Sequence, residues 1–347
     1  MSIHREVLAN CLLCGKAGET LYDGLNDRLE TDEGGFGLRC CPCCGFVWLS
    51  PRPGREELPE FYPSDYYAYQ VSDAVLGTAG MGRGVRDTVR QLILRETFGY
   101  AHLGPRTRWA SLIGRLLGGI PPLRHRAAFG WEELCPHYVP NGRLLDVGCG
   151  AGTHLARLRE LGWDVYGVDL SQDAARVAKE RYGIPVEVGM LPEVRFPEGM
   201  FAVVMMSHVI EHVPDPLAHL KECWRILAPG GQLIIRTPNM VSFASRLFGK
   251  DWMALDPPRH LVLFSPTTLR DCVQRTGFRV VRERSHPYMA SFNAQMSLFI
   301  RRQGHARGLM DIANTGPLAR LLGQLERMLL PIWRWAGNEL RLVAVKS

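Results

Sequence analysis

Leu144-Leu145-Asp146-Val147-Gly148-Cys149-Gly150-Ala151-Gly152 joins an apolar run to a carboxylate and then to three glycines at alternate positions. The apolar part predicts a short buried strand ending at Asp146 or Val147. The glycines allow a sharp turn and a close approach of backbone to ligand, and Thr153 to Glu160 continues as a helix. A dinucleotide fingerprint needs a glycine at its sixth position, where this chain has Thr153, and it holds a pyrophosphate at the helix N-terminus. The expected ligand is therefore not a dinucleotide.

One strand later comes Asp164-Val165-Tyr166-Gly167-Val168-Asp169-Leu170-Ser171, with Asp169 placed 21 positions after Gly148. A carboxylate at the tip of a second parallel strand can accept hydrogen bonds from both ribose hydroxyls of an adenosyl ligand. Taken alone, an Asp before a helix is as readily an N-cap, and glycine turns occur without ligands. Together the two elements suit S-adenosylmethionine, which has no phosphate. Its sulfonium and amino groups are cationic, and Asp146 is a carboxylate placed to meet them directly or through water.

On these residues the chain resembles the class I S-adenosylmethionine-dependent methyltransferases over roughly Gly142 to Phe278. The likeness extends to Phe201 to Met206 as a fourth strand, to Ser207-His208-Val209-Ile210-Glu211-His212-Val213-Pro214-Asp215-Pro216, and to Ala228 through Asn239 as the fifth. Ala202 stands where the family usually has an acidic residue. The resemblance implies cofactor contacts from Asp146, Gly148, Cys149, Gly150, Gly152, Asp169, Leu170, Met190, Leu191, Ser207 and His208. It also implies an α/β fold with a seven-stranded, doubly wound Rossmann-like sheet. Strands are expected at 144–147, 165–168, 185–188, 202–206, 232–236, 278–285 and 340–345, the last antiparallel between the fifth and sixth. Residues 287–336 then form an inserted pair of helices. Its stripe Leu318, Leu321, Leu322, Leu325, Met328 and Leu329 is expected to pack against the sheet or a second subunit.

At 347 residues the chain has room for about two domains. Hydrophobic residues are 46% of it, yet no apolar run approaches the roughly 18 residues of a membrane span. Met1-Ser2-Ile3-His4-Arg5-Glu6 is no signal peptide, so the chain is expected to be cytoplasmic, and its ten cysteines are not expected to form a disulfide framework. Six of the ten lie in the first 44 residues. Cys11-Leu12-Leu13-Cys14-Gly15 and Cys41-Pro42-Cys43-Cys44-Gly45 are matching hooks that predict a zinc ribbon, in which two tight turns offer four thiolates to a structural Zn²⁺. Cys40 and Cys43 share the spacing, but only Cys41 and Cys44 put Gly45 where Gly15 stands. Cys135, Cys149, Cys223 and Cys272 have no pair spacing and read as core thiols.

The domain reading that follows is a zinc ribbon over 1–54, an aromatic and basic helical bridge over 55–138, and the methyltransferase-like domain over 139–347. The bridge opens with Phe61, Tyr62, Tyr66, Tyr67 and Tyr69, read first as interdomain packing and second as a cleft wall. From Met81 to Arg126 nine arginines face only Asp87 and Glu96, a local balance of +7 against +6 for the whole chain. Leu92, Ile93, Leu94, Leu112, Ile113, Leu116 and Leu117 interleave with them at helical spacing. Three readings stay open for this segment: a bridge with a solvated basic face, a receptor for an anionic substrate such as a sugar nucleotide, and a peripheral membrane contact. A further helix after Pro121-Pro122 is expected to lead to Tyr138. The concentration of charge in one segment is no strong nucleic-acid signal.

His208-Val209-Ile210-Glu211-His212 also matches a zinc-peptidase pattern, but that motif needs a continuous helix, and here it follows a strand and precedes Pro214 and Pro216. In the methyltransferase frame the same residues sit where the resemblance puts the acceptor. Methyl transfer is an in-line displacement, so the protein must align the nucleophile and, for a hydroxyl or carbon acid, take its proton. His212 is the candidate base and Glu211 its orienter or acceptor contact, with His208 and His260 as further catalytic candidates. The bland alternative for His212 is a cap or a satisfied core histidine. Arg259 could touch the acceptor and Trp252 line its pocket, while Ser265 caps the next helix.

An N-terminal zinc module, this fold and the Glu-His pair together resemble the sugar-nucleotide C-methyltransferases. Val209 replaces an expected tyrosine, and there is no room for their larger C-terminal domain. The Glu-His-Val-Pro-Asp-Pro run is shared with ubiquinone-type O-methyltransferases, some of which bind a divalent metal there through acids that Ser207 and His208 do not supply. The expected acceptor is a small molecule or carbohydrate. A nucleic-acid methyltransferase docked by the ribbon and a non-catalytic S-adenosylmethionine-binding protein are the other two classes left open.

Overall fold

Thirteen strands are present in the computed structural model, which describes residues 5–28, 34–54, 56–61, 84–128, 132–307 and 315–347. The first five are β1 (Arg5–Glu6), β2 (Glu19–Leu25), β3 (Phe36–Cys40), β4 (Val47–Leu49) and β5 (Arg52–Pro53). Five follow as β6 (Arg143–Val147), β7 (Asp164–Asp169), β8 (Val186–Val188), β9 (Phe201–Ser207) and β10 (Leu227–Pro238). The last three are β11 (Val262–Leu263), β12 (Phe278–His286) and β13 (Glu339–Lys346).

Seven of these strands form one sheet in the order β12-β13-β10-β9-β6-β7-β8. β6, β7 and β8 pair in parallel, whereas β13 runs antiparallel to β12. This is the seven-stranded order expected from the sequence, with the last strand between the fifth and sixth. The reason lies in composition: β9 is a continuous apolar run from Phe201 to Met206, and β6 buries four of its five residues, as a sheet covered on both faces requires.

The chain divides into two compact units, residues 1–66, 206–224 and 235–347, and residues 67–205 and 225–234. In the first, a smaller sheet runs β11-β4-β3-β2. The two cysteine hooks fold alike. Gly15 N–H donates to the Cys11 carbonyl and Gly45 N–H to the Cys41 carbonyl, both at 2.8 Å, and both glycines are left-handed, at φ +74° and +73°. The sheet is completed by β11, which pairs antiparallel with β4 and so brings residues 262–263 onto the ribbon. Phe36, Leu38 and Leu49 of the ribbon share a core with Trp252, Leu255, Leu261 and Leu263. At its centre the fully buried Arg259 guanidinium donates to Asp27 at 2.7 and 3.0 Å and to Asp256 at 2.6 to 3.1 Å.

Trp252 and Arg259 are therefore core and strut, not pocket lining. Ser265 does cap the helix Pro266–Arg275, its side chain accepting from Thr268 N–H. The insertion holds the expected helix pair, Ala290–Gln303 and Pro317–Leu329. Most of the stripe on the second does not pack against the sheet: Ala319, Gly323 and Glu326 are buried, while Leu318, Leu321, Leu325 and Met328 are exposed in the single chain. The partly buried Leu322 packs on the core.

In the second unit the basic segment forms the helices Val85–Phe98, Arg108–Gly118 and Pro121–Ala127, the last ending well before Tyr138 and followed by a short turn at Glu132–Leu134. Met81 to Arg83 and the tyrosines Tyr62, Tyr66, Tyr67 and Tyr69 lie outside the described residues. Among the described residues no helix is long and apolar enough to cross a membrane.

Candidate active site

The glycine turn belongs to the second unit. Gly148, Gly150 and Gly152 all have positive φ, at 70°, 53° and 74°, so the alternating glycines are required by the backbone itself. The turn is tied to the neighbouring strand. Gly148 N–H donates to the Val168 carbonyl at 2.7 Å, and Gly150 N–H donates to Asp169 Oδ2, also at 2.7 Å. Asp169 Oδ1 accepts from Ser171 N–H at 2.9 Å, which fixes the carboxylate between turn and helix. Burial pushes its pKa up against those bonds. Each oxygen keeps a second lone pair for a ligand hydroxyl.

Asp146 is buried, with its Oδ2 3.7 Å from His154 Nδ1. A Cβ built on Gly150 would meet nothing within 4 Å, so the face of the turn is open, whereas one on Gly167 would strike the Cys149 sulfur at 2.5 Å. Open space above a turn that packing does not fill is what a bound adenosyl group needs. Of the other positions read as cofactor contacts, Leu170 is exposed and Leu191 buried, with Met190 half-buried at the N-cap of Leu191–Val194. Cys149 is only partly buried, unlike the core thiols Cys135, Cys223 and Cys272.

The histidine cluster belongs to the first unit. After Ser207 the chain leaves β9 through a turn, so His208 to His212 do not lie in a helix and the peptidase frame is lost. His208 turns the corner at φ +57°, a strained value for a side chain with a Cβ. It is held by two carboxylates, Nδ1 at 3.2 Å from Glu211 Oε1 and Nε2 at 2.9 Å from Glu339 Oε2. Burial opposes its charge, but the two carboxylates outweigh burial and raise its pKa to about 9. The ring is therefore an imidazolium at neutral pH.

Glu211 is fully buried, and its second oxygen accepts from the Thr237 hydroxyl at 2.9 Å. Burial disfavours its charge, yet His208 and the other histidines hold its pKa down at about 2. His212 is the opposite case: burial, then His260, lower its pKa to about 4, so it is neutral at pH 7. Its Nδ1 is 3.1 Å from the Arg259 carbonyl, and since a carbonyl only accepts, Nδ1 carries the hydrogen and Nε2 the lone pair. His260 is set in the same way, Nδ1 donating to the Ala254 carbonyl at 2.8 Å. The two rings meet edge to face, centroids 4.6 Å apart.

Sequence reasoning missed the support for this cluster. Glu339 accepts from Arg236 at 2.6 Å, from Arg341 at 2.6 Å and from His208, and Arg236 lies over the Tyr288 ring at 4.6 Å. Glu339 lies 131 positions from His208, and no local signal announces it.

Among the described residues two groups have the donors a metal ion requires. Cys11, Cys14, Cys41 and Cys44 present four sulfurs within 4.8 Å of one another, with Cys11–Cys44 at 3.6 Å and Cys14–Cys41 at 3.4 Å. Zinc with Zn–S bonds of about 2.3 Å sets sulfurs about 3.8 Å apart, so the donors fit. Cys40 and Cys43 stay outside that set. Glu211, His212 and His260 form the second group, each with a ligand atom within 4.8 Å of the others.

Residues 107–283, just over half of the chain, match a family described as a methyltransferase domain. A ubiquinone biosynthesis O-methyltransferase of Cereibacter sphaeroides is 32% identical over 162 residues, covering 44% of this chain and 66% of that protein. The protein of the same description from Xanthomonas oryzae pv. oryzae is 35% identical over 130 residues, covering 35% and 54%. The alignments thus span between half and two-thirds of these relatives. A solved S-adenosylmethionine-dependent methyltransferase from Archaeoglobus fulgidus aligns at 22% identity over 64% of this chain and 94% of that one, with a TM-score of 0.44.

Proposed function

Because this chain belongs to the class I S-adenosylmethionine-dependent methyltransferases, we propose that it transfers a methyl group to a hydroxyl or acidic carbon of a small-molecule or carbohydrate acceptor, with His212 taking the proton. The observation that carries the proposal is the fixed tautomer of His212. A neutral ring whose Nδ1–H is spent on the Arg259 carbonyl presents Nε2 as an acceptor. When bound, the cofactor supplies a methyl carbon already activated by a positive sulfur. His212 Nε2 would take the proton that the acceptor gives up, during the attack for a hydroxyl oxygen and before it for a carbon acid.

The lowered pKa of His212 constrains the timing. A phenol with pKa about 10 would lose its proton to a base of pKa about 4 only at a cost of about 8 kcal/mol. An oxygen that has begun to bond the methyl group becomes a strong acid, so late transfer needs no stronger base, and the low pKa keeps His212 unprotonated throughout the neutral range. Glu211, ionised and held by Thr237 and His208, is a fixed acceptor suited to an acceptor hydroxyl. Asp169 would hold the ribose, the open glycine turn would take the methionine backbone, and Asp146 would face its amino group.

One metal accompanies the proposal and another would compete with it. A structural zinc at Cys11, Cys14, Cys41 and Cys44 would tie the ends of the ribbon, residues 1–54, which is followed in the proposed organisation by the bridge 55–138 and the methyltransferase domain 139–347. The set Glu211, His212 and His260 supports a second reading of the active site, since two imidazoles and one carboxylate, each imidazole oriented through its other nitrogen, suit a divalent cation that would grip a pair of acceptor oxygens. His212→Gln with cofactor affinity retained separates the readings. Loss of turnover without change in bound metal supports the base, loss of a stoichiometric divalent ion supports the metal, and unchanged turnover sinks both.

A further inference from the structure

Two helices of this chain turn their small residues inward and their large apolar residues to solvent. In Arg108–Gly118 the buried positions are Ala110, Gly114 and Gly118. A Cβ on Gly114 would lie 2.6 Å from the Leu92 carbonyl oxygen, and one on Gly118 2.3 Å from the Thr97 hydroxyl, so only glycine lets this helix seat on Val85–Phe98. Left outside are Trp109 (75% exposed), Leu112 (47%), Ile113 (45%) and Leu116 (64%). Their spacing of i, i+3, i+4 and i+7 makes one continuous stripe.

In Pro317–Leu329 the same inversion recurs. A Cβ on Gly323 would lie 2.3 Å from the Ser291 hydroxyl, while Leu321 and Met328 face outward. Small residues against the neighbouring helix and bulky apolar ones outside is the arrangement of helices whose surroundings are lipid. Single exposed apolar residues mean little, but a contiguous stripe marks a surface meant to be covered.

The charge around the first stripe selects what covers it. Arg106 and Arg108 are exposed at the start of its helix and Arg126 is exposed on the next, and no Asp or Glu stands in the sequence between Glu96 and Glu132. A second copy meeting this face about a two-fold axis would bring one cationic rim against another. A nucleic acid would meet an apolar stripe with its phosphates. An anionic lipid surface satisfies both parts, with Trp109 at the depth where indole rings settle and the arginines among the headgroups.

We propose that Arg108–Gly118 lies in the interfacial plane of an anionic membrane, burying the Trp109, Leu112, Ile113 and Leu116 stripe. At 11 residues it is an interfacial helix and not a span. The proposal is independent of the acceptor's identity. The test is cosedimentation of the full chain with vesicles of phosphatidylcholine, with and without phosphatidylglycerol, beside sedimentation velocity of the free protein. The chain is expected to bind the phosphatidylglycerol vesicles and to release them as salt rises.

Leu112→Gln with Leu116→Gln, both on the exposed face, should leave the melting temperature and cofactor affinity unchanged and weaken vesicle binding roughly tenfold or more. Arg108→Gln should weaken it about fivefold on anionic vesicles and hardly at all on neutral ones. Failure of the unsubstituted chain to bind anionic vesicles, full binding by the double variant, or a stable oligomer that the double variant dissociates would each overturn the proposal.

Discussion

Arg259→Met is the most informative stability perturbation, because one guanidinium bridges two carboxylates out of contact with water. Asp27 is wholly buried and Asp256 nearly so, and both lose the guanidinium they share when the arginine goes. Methionine refills most of the volume, so the cost is electrostatic. Removing one member of a buried ion cluster costs about 3–5 kcal/mol. At roughly 2–4 °C per kcal/mol, the melting temperature should fall by about 10 °C.

The measurement is urea unfolding followed by circular dichroism, as a cycle with Asp27→Asn. The asparagine removes one stranded charge, so it should cost less in the Arg259→Met background than in the natural chain, by about 1–3 kcal/mol. A loss below about 1 kcal/mol for Arg259→Met, or strictly additive costs, would refute the claim that this cluster clamps ribbon to loop.

Three further outcomes are expected. Asp169→Asn can accept from Gly150 or Ser171 but not from both through oxygen, and should weaken S-adenosylmethionine binding about tenfold or more by calorimetry with little change in melting temperature; equal affinity would remove Asp169 from the cofactor site. Glu326, buried under Pro317–Leu329, has its pKa raised by burial to about 7, so the unfolded chain ionises first and stability falls as pH rises from the ordinary carboxylate range to about 7. Glu326→Gln should then be the more stable form above pH 7, by up to about 3 kcal/mol, and equal to the natural chain near pH 4; a difference independent of pH would contradict this. Cys14→Ser should lower bound zinc, read by mass spectrometry of the metal, and loosen the ribbon's amide protons to exchange, whereas Cys43→Ser should do neither.

The main sheet was legible because its strands are of the kind that announce themselves. Val203 to Met206 is an uninterrupted apolar run, and Gly148, Gly150 and Gly152 occupy backbone angles that few other residues accept. The cysteine hooks were legible for a similar reason, since Gly15 and Gly45 mark the same turn twice. What local pattern does not carry is pairing over distance. Nothing near Val262 shows that it will extend the ribbon, nor near Glu339 that it will hold His208.

Trp252 and Arg259 were read as pocket residues because large polar-tipped side chains in a loop often are, yet Asp27 was waiting for one of them more than two hundred positions away. For the Leu318 stripe only the alternative of packing against the sheet is excluded by its exposure. Periodicity identifies two faces of a helix, and apolar bulk argues for burying the larger one, but close helix packing at Gly323 needs the small face inside.

The central claim is methyl transfer to a small acceptor. It is tested most directly by incubating the chain with methyl-labelled S-adenosylmethionine and a protein-free, RNA-free small-molecule extract, then resolving the products by mass spectrometry. The account predicts a labelled small molecule formed together with S-adenosylhomocysteine, abolished by Asp169→Ala and suppressed by His212→Gln. Tight cofactor binding with no labelled product, or label that appears only when RNA is restored, would contradict it.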